Sequence, residues 1–482
     1  MIARAPVRRI LSTFALTTAM AFVAAACADT PRPTTLLTAG ATAAPSPSAA
    51  PLPSVAASST SEPSQAPVAM IPQPLPPEGV AIAPDSARVD LAMPTFSHPL
   101  RATNPLFPIS SQASVLMLGH VDGKPFRTEV TLLPFTRVID WGGQRVETLV
   151  SQYAAYLDGR ITEIAYDYYA QDDGGSVWYF GEDVFDFVDG AIVTTEGTWL
   201  AGRDGPAAMI MPGRPRVGDV YRTENVPGFV FEEVTVTAVD QALDGPLGPI
   251  EGGLVAHELH ADGATEDKVF APGYGEFLTG DGSDVEALAL AVPTDAISGS
   301  IPAGLLALSG GALQAFESSR SGGWAAAAED VAAIRTAWSA HATTDVPRPL
   351  EPLMAQAIKR LGDAVEARRA TQARNASIEV ARLAFDLQLR YRPASEVDLA
   401  RFDLWAAQLL VDAAADDAAG VNADVFALDY IRDRFVHTLD DATAARLNTQ
   451  LGELQGAVID DDLEAASGAA MELRKVIAGR AP

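Results

Sequence analysis

Cysteine is almost absent from this chain. The 482 residues contain one cysteine, Cys27, close to the N-terminus. A single cysteine cannot form an intramolecular disulfide, so we expect none in the folded part of the chain. The later sequence also offers no thiol for nucleophilic catalysis.

Positive charge is scarce as well. Lys and Arg number 34 against 62 Asp and Glu, which gives a formal net charge of −28. Nucleic acids and anionic headgroups repel such an acidic protein. We therefore expect no nucleic-acid partner, and the charge mainly favours solubility.

Common catalytic motifs are missing too. The sequence has no Gly-x-Ser-x-Gly and no Gly-rich phosphate-binding loop. The segment His257-Glu258-Leu259-His260 spaces its histidines three apart, which on a strand points them to opposite faces. No third ligand is evident nearby in the sequence. We predict no metal site and no cofactor, and we favour a binding or structural protein over an enzyme.

The longest apolar run lies near the N-terminus. Residues 1–26 have the layout of a signal peptide, with arginines before an apolar segment. The sequence Ala-Ala-Ala-Cys ending at Cys27 resembles a bacterial lipobox, whose cysteine becomes diacylated and N-terminal. This predicts an exported, membrane-anchored lipoprotein, periplasmic or at the cell surface. Plain signal cleavage that leaves a free thiol is the alternative.

Residues 27–90 are rich in Pro, Ala, Ser and Thr and carry little charge. Such a segment buries too little apolar area to offset its ordering entropy. We predict that this segment is a disordered tether between the lipidated Cys27 and the folded part.

Residues 91–297 have the pattern of an all-β domain. Phe126, Thr128 and Val130 alternate with Arg127 and Glu129, the period of a strand. Asp-Gly or Gly-Gly pairs suited to hairpins recur at 122–123, 142–143, 158–159, 189–190 and 262–263. We predict about ten to twelve antiparallel strands forming a barrel, half-barrel or sandwich.

One stretch of this region resembles a family of uncharacterised secreted bacterial proteins. The similarity rests on YDYYAQD at 166–172 followed by VWYFGED at 177–183, and it extends from about Gly119 to Gly275. It implies an exported all-β domain and no particular activity. Members often end in His-x-x-Tyr-Ala-Pro-Gly-x-Gly, where this chain has Asp267 in place of the histidine.

The remainder of the chain is predicted to be helical. Residues 298–323 are rich in small residues and are interpreted as a linker. In residues 324–482 apolar side chains recur at helical spacing, as in Leu428, Ile431, Phe435 and Leu439. The predicted fold is thus multidomain, β then α, ending in an antiparallel bundle of six or seven helices.

The clearest candidate ligand site is the group Trp178, Tyr179, Glu182 and Asp183. Two acids beside two aromatic rings could form a carbohydrate-like hydrolase site, whereas buried rings with hydrogen-bonded tips would make them core residues. Three functions stay open: a lipid-anchored envelope protein that binds a ligand or partner or has a structural role, an extracytoplasmic hydrolase, and a lipid carrier with an apolar half-barrel.

Overall fold

Fourteen β-strands occur in the part of the chain that the structure, a computed structural model, describes: residues 69–73, 77–226, 228–281, 284–292 and 299–479. In chain order the strands are β1 (Ser114–Val121), β2 (Lys124–Trp141), β3 (Gln144–Leu157), β4 (Arg160–Gln171), β5 (Val177–Val188), β6 (Ala191–Thr194), β7 (Trp199–Leu200), β8 (Ala208–Met211), β9 (Val220–Val226), β10 (Val230–Gly245), β11 (Gly248–His260), β12 (Thr265–Ala271), β13 (Gly275–Asp281) and β14 (Asp284–Val292).

These strands form one antiparallel sheet. Its order is β6-β5-β4-β3-β2-β1-β14-β13-β12-β11-β10-β9, and the short strands β7 and β8 both pair with β5. Neighbours in the sheet are therefore mostly neighbours in sequence, joined by hairpins. The pairing of β1 with β14 joins the two halves of this meander.

The predicted hairpin turns are confirmed by the backbone. Asp122 and Gly123 between β1 and β2 both have positive φ, at 50° and 72°. Asp158-Gly159 repeats the arrangement, with φ of 50° and 79°. Two successive residues with positive φ define the type I′ turn, whose twist matches that of the strands it connects.

Eight α-helices follow the sheet within the described residues. They are α1 (Ala303–Arg320), α2 (Trp324–His341), α3 (Leu350–Glu366), α4 (Ala370–Gln388), α5 (Ala394–Ala413), α6 (Ala418–Arg432), α7 (Asp441–Ile459) and α8 (Leu463–Ala478). The last three begin at aspartates, Asp417, Asp440 and Asp462, whose side chains accept a hydrogen bond from a backbone N–H of the first turn. The predicted order of an antiparallel sheet followed by helices is confirmed.

The predicted linker at 298–323 is wrong for most of its length, because α1 occupies it. Leu305, Leu308 and Phe316 on this helix are each at most 1 % exposed. Gly311, within this segment of small residues, has a packing role instead: a Cβ on it would lie 2.9 Å from Cγ1 of Ile334 on α2. The missing side chain allows α1 and α2 to approach closely.

The predicted boundary between two domains also fails. The described residues belong to one compact unit. A single apolar cluster joins Leu116 and Leu290 of the sheet to residues such as Phe316 and Leu361 of the helices. Because this cluster spans both regions, the sheet and the helices α1 to α5 share part of their interior.

The described end of the predicted tether is packed against the sheet rather than free. Ile71 is 4 % exposed, and Arg88 forms a β-bridge with Val220. Arg88 also binds Asp90 through two buried hydrogen bonds of 2.7 and 2.8 Å. The rest of the tether, and with it Cys27 and the signal segment, lies outside the described residues.

Buried charges connect the sheet to the helices. Arg127 of β2 binds Asp386 of α4 through two hydrogen bonds of 2.8 and 2.9 Å. Arg434, which follows α6, donates to Glu129 of β2 at 2.6 Å, and Arg401 of α5 donates to Asp386 at 2.6 Å. These side chains alternate in sign within the interface, so each charge is compensated by neighbours from another element.

Candidate functional site

The aromatic part of the predicted site on β5 does not line an open cleft. Trp178 is 2 % exposed, and its Nε1 donates to Asp172 Oδ2 at 2.8 Å. Tyr179 is 1 % exposed, and its hydroxyl donates to Asp167 Oδ1 at 2.8 Å. Both rings are therefore core side chains whose polar tips are satisfied by hydrogen bonds.

The two acids of that site are not brought together either. Glu182 and Asp183 are consecutive on a strand, so their side chains leave the sheet on opposite faces. Glu182 is 2 % exposed. Asp183 accepts hydrogen bonds from Arg137 at 2.9 Å and from the Tyr168 hydroxyl at 2.6 Å. The pair does not face a common substrate position.

A different cluster forms on β10, β11 and β12. The register places Glu258 opposite Glu266 and Glu232 opposite His260. Lys268 lies two residues beyond Glu266, on the same face of β12. The five side chains therefore meet on one face of three neighbouring strands.

The two histidines of β11 do point to opposite faces, as predicted. His257 is exposed, and its Nδ1 lies 2.8 Å from Oδ1 of Asp267. His260 turns into the cluster. The prediction of no metal site assumed that His260 had no further ligands nearby, and this assumption was wrong.

The cluster has the geometry of a metal-ligand set. One ligand atom each from Glu258, His260 and Glu266 can be chosen so that all lie within 4.8 Å of one another. His260 Nε2 is 3.6 Å from Glu266 Oε1, and its Nδ1 is 3.6 Å from Glu232 Oε1. Thr223 supports the acids, with its hydroxyl 3.1 Å from Glu232 and 3.2 Å from Glu258.

Burial strengthens the electrostatic interactions among these charged groups. Burial alone would lower the pKa of His260, but hydrogen bonds to Glu232 and Glu266 outweigh it and raise the pKa to about 10. Burial likewise opposes the charge on Lys268, yet Glu258 and Glu266 raise its pKa above the ordinary value. Both groups are therefore cationic at neutral pH and partly compensate the neighbouring acids, while burial and the nearby Glu232 raise the pKa of Glu258 to about 8.

A small cavity adjoins the cluster. Among its lining residues are Tyr221, Thr223, Glu258 and Lys268. The Tyr221 hydroxyl is fully buried and has no hydrogen-bond partner among the residues that the structure describes. A buried donor without a partner costs about 1–3 kcal/mol, so this hydroxyl marks a position where a water or another ligand would be stabilised.

Access to the cluster is from the side of His260. The imidazole is 22 % exposed, whereas the side chains of Glu232, Glu258, Glu266 and Lys268 are each at most 8 % exposed. A ligand would therefore meet the imidazole first and the carboxylates behind it.

Further buried polar side chains lie on the strands β14, β2 and β3. Glu286 accepts a hydrogen bond from Thr128, and both are at most 5 % exposed. The Tyr153 hydroxyl lies in the field of Glu286 and Glu163, and burial together with these acids raises its pKa far above the usual value. This interior is polar and acidic.

Glu286 should make stability depend on pH. Burial, and then the neighbouring Glu276, raise its pKa to about 8, against an ordinary 4.5. A carboxyl group with a raised pKa in the folded state stabilises the fold below the unfolded pKa, and this contribution is lost as the pH rises through the folded pKa. We expect the free energy of unfolding to fall by up to about 1.4 kcal/mol per pH unit between these values, and Glu286→Gln to remove this part of the decline.

Urea denaturation at pH 5, 6, 7 and 8 measures this effect. Glu251→Gln, an exposed position on β11, is the matched control and should keep the wild-type pH dependence. If the free energy of unfolding depends on pH in the same way for wild type and Glu286→Gln, Glu286 is ionised in the folded protein throughout this range and the prediction is wrong.

The sequence contained only part of the signal for the cluster. Asp262-Gly263 predicts a hairpin, and residues two apart on a strand share a face, which groups Glu258 with His260 and Glu266 with Lys268. A two-residue turn at Asp262-Gly263 would set Glu258 opposite Asp267, however, whereas the observed register sets it opposite Glu266. Glu232 could not be found in this way, because its pairing with His260 depends on the register of β10.

Comparison with known proteins adds no assignment. No protein-family model matches the chain, and no curated protein matches it significantly. The resemblance to the secreted bacterial family therefore stays a prediction. Within the described ranges, no helix has both the length and the apolar character needed to cross a bilayer.

Proposed function

We propose that this chain is a lipid-anchored envelope protein that binds a divalent metal ion through Glu258, His260 and Glu266. The proposal is carried by one observation: three potential ligand atoms from these residues lie within 4.8 Å of one another. In a tetrahedral site with bonds of about 2.0–2.1 Å, ligand atoms are roughly 3.3 Å apart. Small side-chain movements would bring the three groups to that spacing.

The surroundings of His260 support the same function. Its two ring nitrogens face different carboxylates, Glu266 from Nε2 and Glu232 from Nδ1. Histidines that bind metals commonly donate the other ring N–H to a carboxylate, which fixes the orientation of the ring. Glu232 is placed for this positioning role while Nε2 binds the ion.

Charge also favours a divalent ion of the zinc type. Glu232, Glu258 and Glu266 carry three negative charges when ionised, and a neutral imidazole is the form that binds metal. One divalent ion would compensate two of these three charges. An imidazole ligand favours zinc-like ions over calcium, which prefers six to eight oxygens.

The anchor is part of the proposal. The lipobox-like sequence ending at Cys27 would attach diacylglycerol, and each buried CH₂ contributes about 0.8 kcal/mol to membrane affinity. The residues that follow would then hold the folded part near the membrane, in the periplasm or at the cell surface.

The alternatives have less support. A hydrolase using Glu182 and Asp183 needs both acids on one side of a cleft, whereas they lie on opposite faces of β5. A lipid carrier needs a continuous apolar concavity, and the buried Glu258, Lys268 and Glu286 make the corresponding interior polar. A metal-binding protein accounts for these buried charges better.

Isothermal titration of zinc into the mature chain carrying Cys27→Ser tests the metal site. We expect one ion per chain, and we expect His260→Ala to weaken binding by about 100-fold or more. His257→Ala is the matched control, since it removes an exposed imidazole on the same strand but on the opposite face. Absence of stoichiometric binding, or equal effects of the two substitutions, would contradict the proposal.

Fractionation of cells tests the anchor. Wild-type protein should sediment with membranes, because two or three acyl chains dissociate slowly. Cys27→Ser should release the folded protein into the soluble exported fraction or leave the signal uncleaved, without lowering the stability of the fold. Equal distribution and equal mass of the two proteins would exclude lipidation.

A further inference from the structure

Lys268 contacts carboxylates that a metal ion at the proposed site would bind. Its Nζ contacts Oε2 of Glu258 and lies 3.6 Å from Oε1 of Glu266. These are two of the three proposed ligand residues. The side chain of Lys268 is 3 % exposed, so the ammonium has exchanged its hydration for these carboxylates.

The same carboxylate oxygens cannot serve the ammonium and a metal ion at close range. A divalent ion bound 2.0–2.2 Å from these oxygens would stand within a few ångströms of Nζ, and like charges so close in a buried site repel strongly. Binding of the ion therefore requires the ammonium to move.

The polar interior continues past Lys268 toward β13. The sheet register places Thr279 of β13 opposite Lys268, and the Thr279 hydroxyl donates a hydrogen bond to Glu276. Glu276 is fully buried and neighbours Glu286 on the polar face. A lysine side chain has four flexible methylene groups and can reorient by rotating them.

We propose that metal binding at this site is an exchange, in which the divalent ion displaces the Lys268 ammonium from Glu258 and Glu266 toward Glu276. This inference rests on the proposed metal-binding function and adds its regulation. Without metal, Lys268 holds the acids together as an internal counterion. With metal, the cost of displacing Lys268 limits affinity, so the site releases its ion more readily than a site without this lysine would.

Zinc titration calorimetry on the mature Cys27→Ser chain, with and without Lys268→Met, tests the exchange. Methionine keeps an unbranched side chain of similar length and removes the charge. We expect Lys268→Met to bind zinc at least about tenfold more tightly, because no ammonium has to leave. Lys268→Arg should bind no more tightly than wild type, and Lys359→Met, at an exposed position on α3, should bind as wild type does.

The outcomes separate this inference from the proposed function. If wild type binds zinc and Lys268→Met binds equally or more weakly, the exchange is wrong and the metal site stands. If only Lys268→Met binds, the lysine competes as inferred, but the native protein does not bind zinc. If neither binds, both proposals fail.

A measurement on the unaltered lysine covers the case in which Lys268→Met does not fold. Lysine-selective ¹³Cε NMR of the mature chain follows the environment of the Lys268 ammonium during zinc titration. We expect its resonance to be replaced by a new one as zinc reaches one equivalent. A Lys268 signal that is unchanged at saturating zinc would overturn the exchange.

Discussion

Glu129→Ala is expected to lower the free energy of unfolding by about 3–5 kcal/mol. Glu129 accepts two hydrogen bonds from Arg127, at 2.7 and 2.9 Å, and one from Arg434 at 2.6 Å. Arg401 lies 3.7 Å from the same carboxylate. Removal of the carboxylate leaves buried guanidinium groups with too little negative charge around them.

The cost is large because none of these groups can be solvated. Glu129 and Arg434 have side-chain exposures of 6 % and 1 %. The three arginines hold the pKa of Glu129 well below its usual range, although burial alone would raise it. The carboxylate therefore stays charged in mildly acidic solution. Glu129→Ala should accordingly lower the free energy of unfolding in mildly acidic as well as in neutral solution.

Urea denaturation followed by circular dichroism measures the change. Glu147→Ala on the neighbouring strand β3 is the matched control, since its carboxylate is exposed and accepts a hydrogen bond from Thr136. It should shift stability by no more than about 0.5 kcal/mol. A comparably small effect of Glu129→Ala would mean that the interface readily admits water.

Phe316→Ala should cost a similar amount, about 3–5 kcal/mol. Phe316 lies in the C-terminal half of α1 and is 1 % exposed, and the guanidinium of Arg474 from α8 lies 5.5 Å from the centre of its ring. Its cluster includes Leu116 and Leu290 from the sheet. Truncation opens a cavity where sheet and helices meet.

This variant also tests whether the chain unfolds as one unit. Circular dichroism at 222 nm reports mainly on the helices, and tryptophan fluorescence reports partly on the sheet. Both signals should show one transition that shifts together in Phe316→Ala, while Leu306→Ala, 50 % exposed on the same helix, should have little effect. Two transitions, of which Phe316→Ala shifts only one, would restore the predicted division into two domains.

Local rules explain what could be predicted from the sequence. Asp122-Gly123 and Asp158-Gly159 specify type I′ turns through their own backbone preferences, so the hairpins were correctly placed. The stripe through Leu428 and Ile431 is likewise a local pattern, and both residues are buried in a helix. The predicted sheet and helices both depend on such signals.

The errors concern features that depend on distant contacts. Gly311 belongs to the small-residue segment that was interpreted as a linker, but its role depends on Ile334 of the next helix. Trp178 and Glu182 were predicted to belong to a ligand site, but both side chains are buried, and Trp178 donates its hydrogen bond to Asp172. Glu232 joins His260 only through the register of two long strands.

The buried charges between sheet and helices constrain the order of folding. Arg127 and Asp386 are separated by 259 positions, and Glu129 and Arg434 by 305. A sheet completed during synthesis, before α4, α5 and the residues after α6 leave the ribosome, would carry these charges on an uncovered apolar face without their partners. Stable closure of the molecule therefore waits for nearly the whole chain, and until then the sheet exposes surface of the kind that favours aggregation.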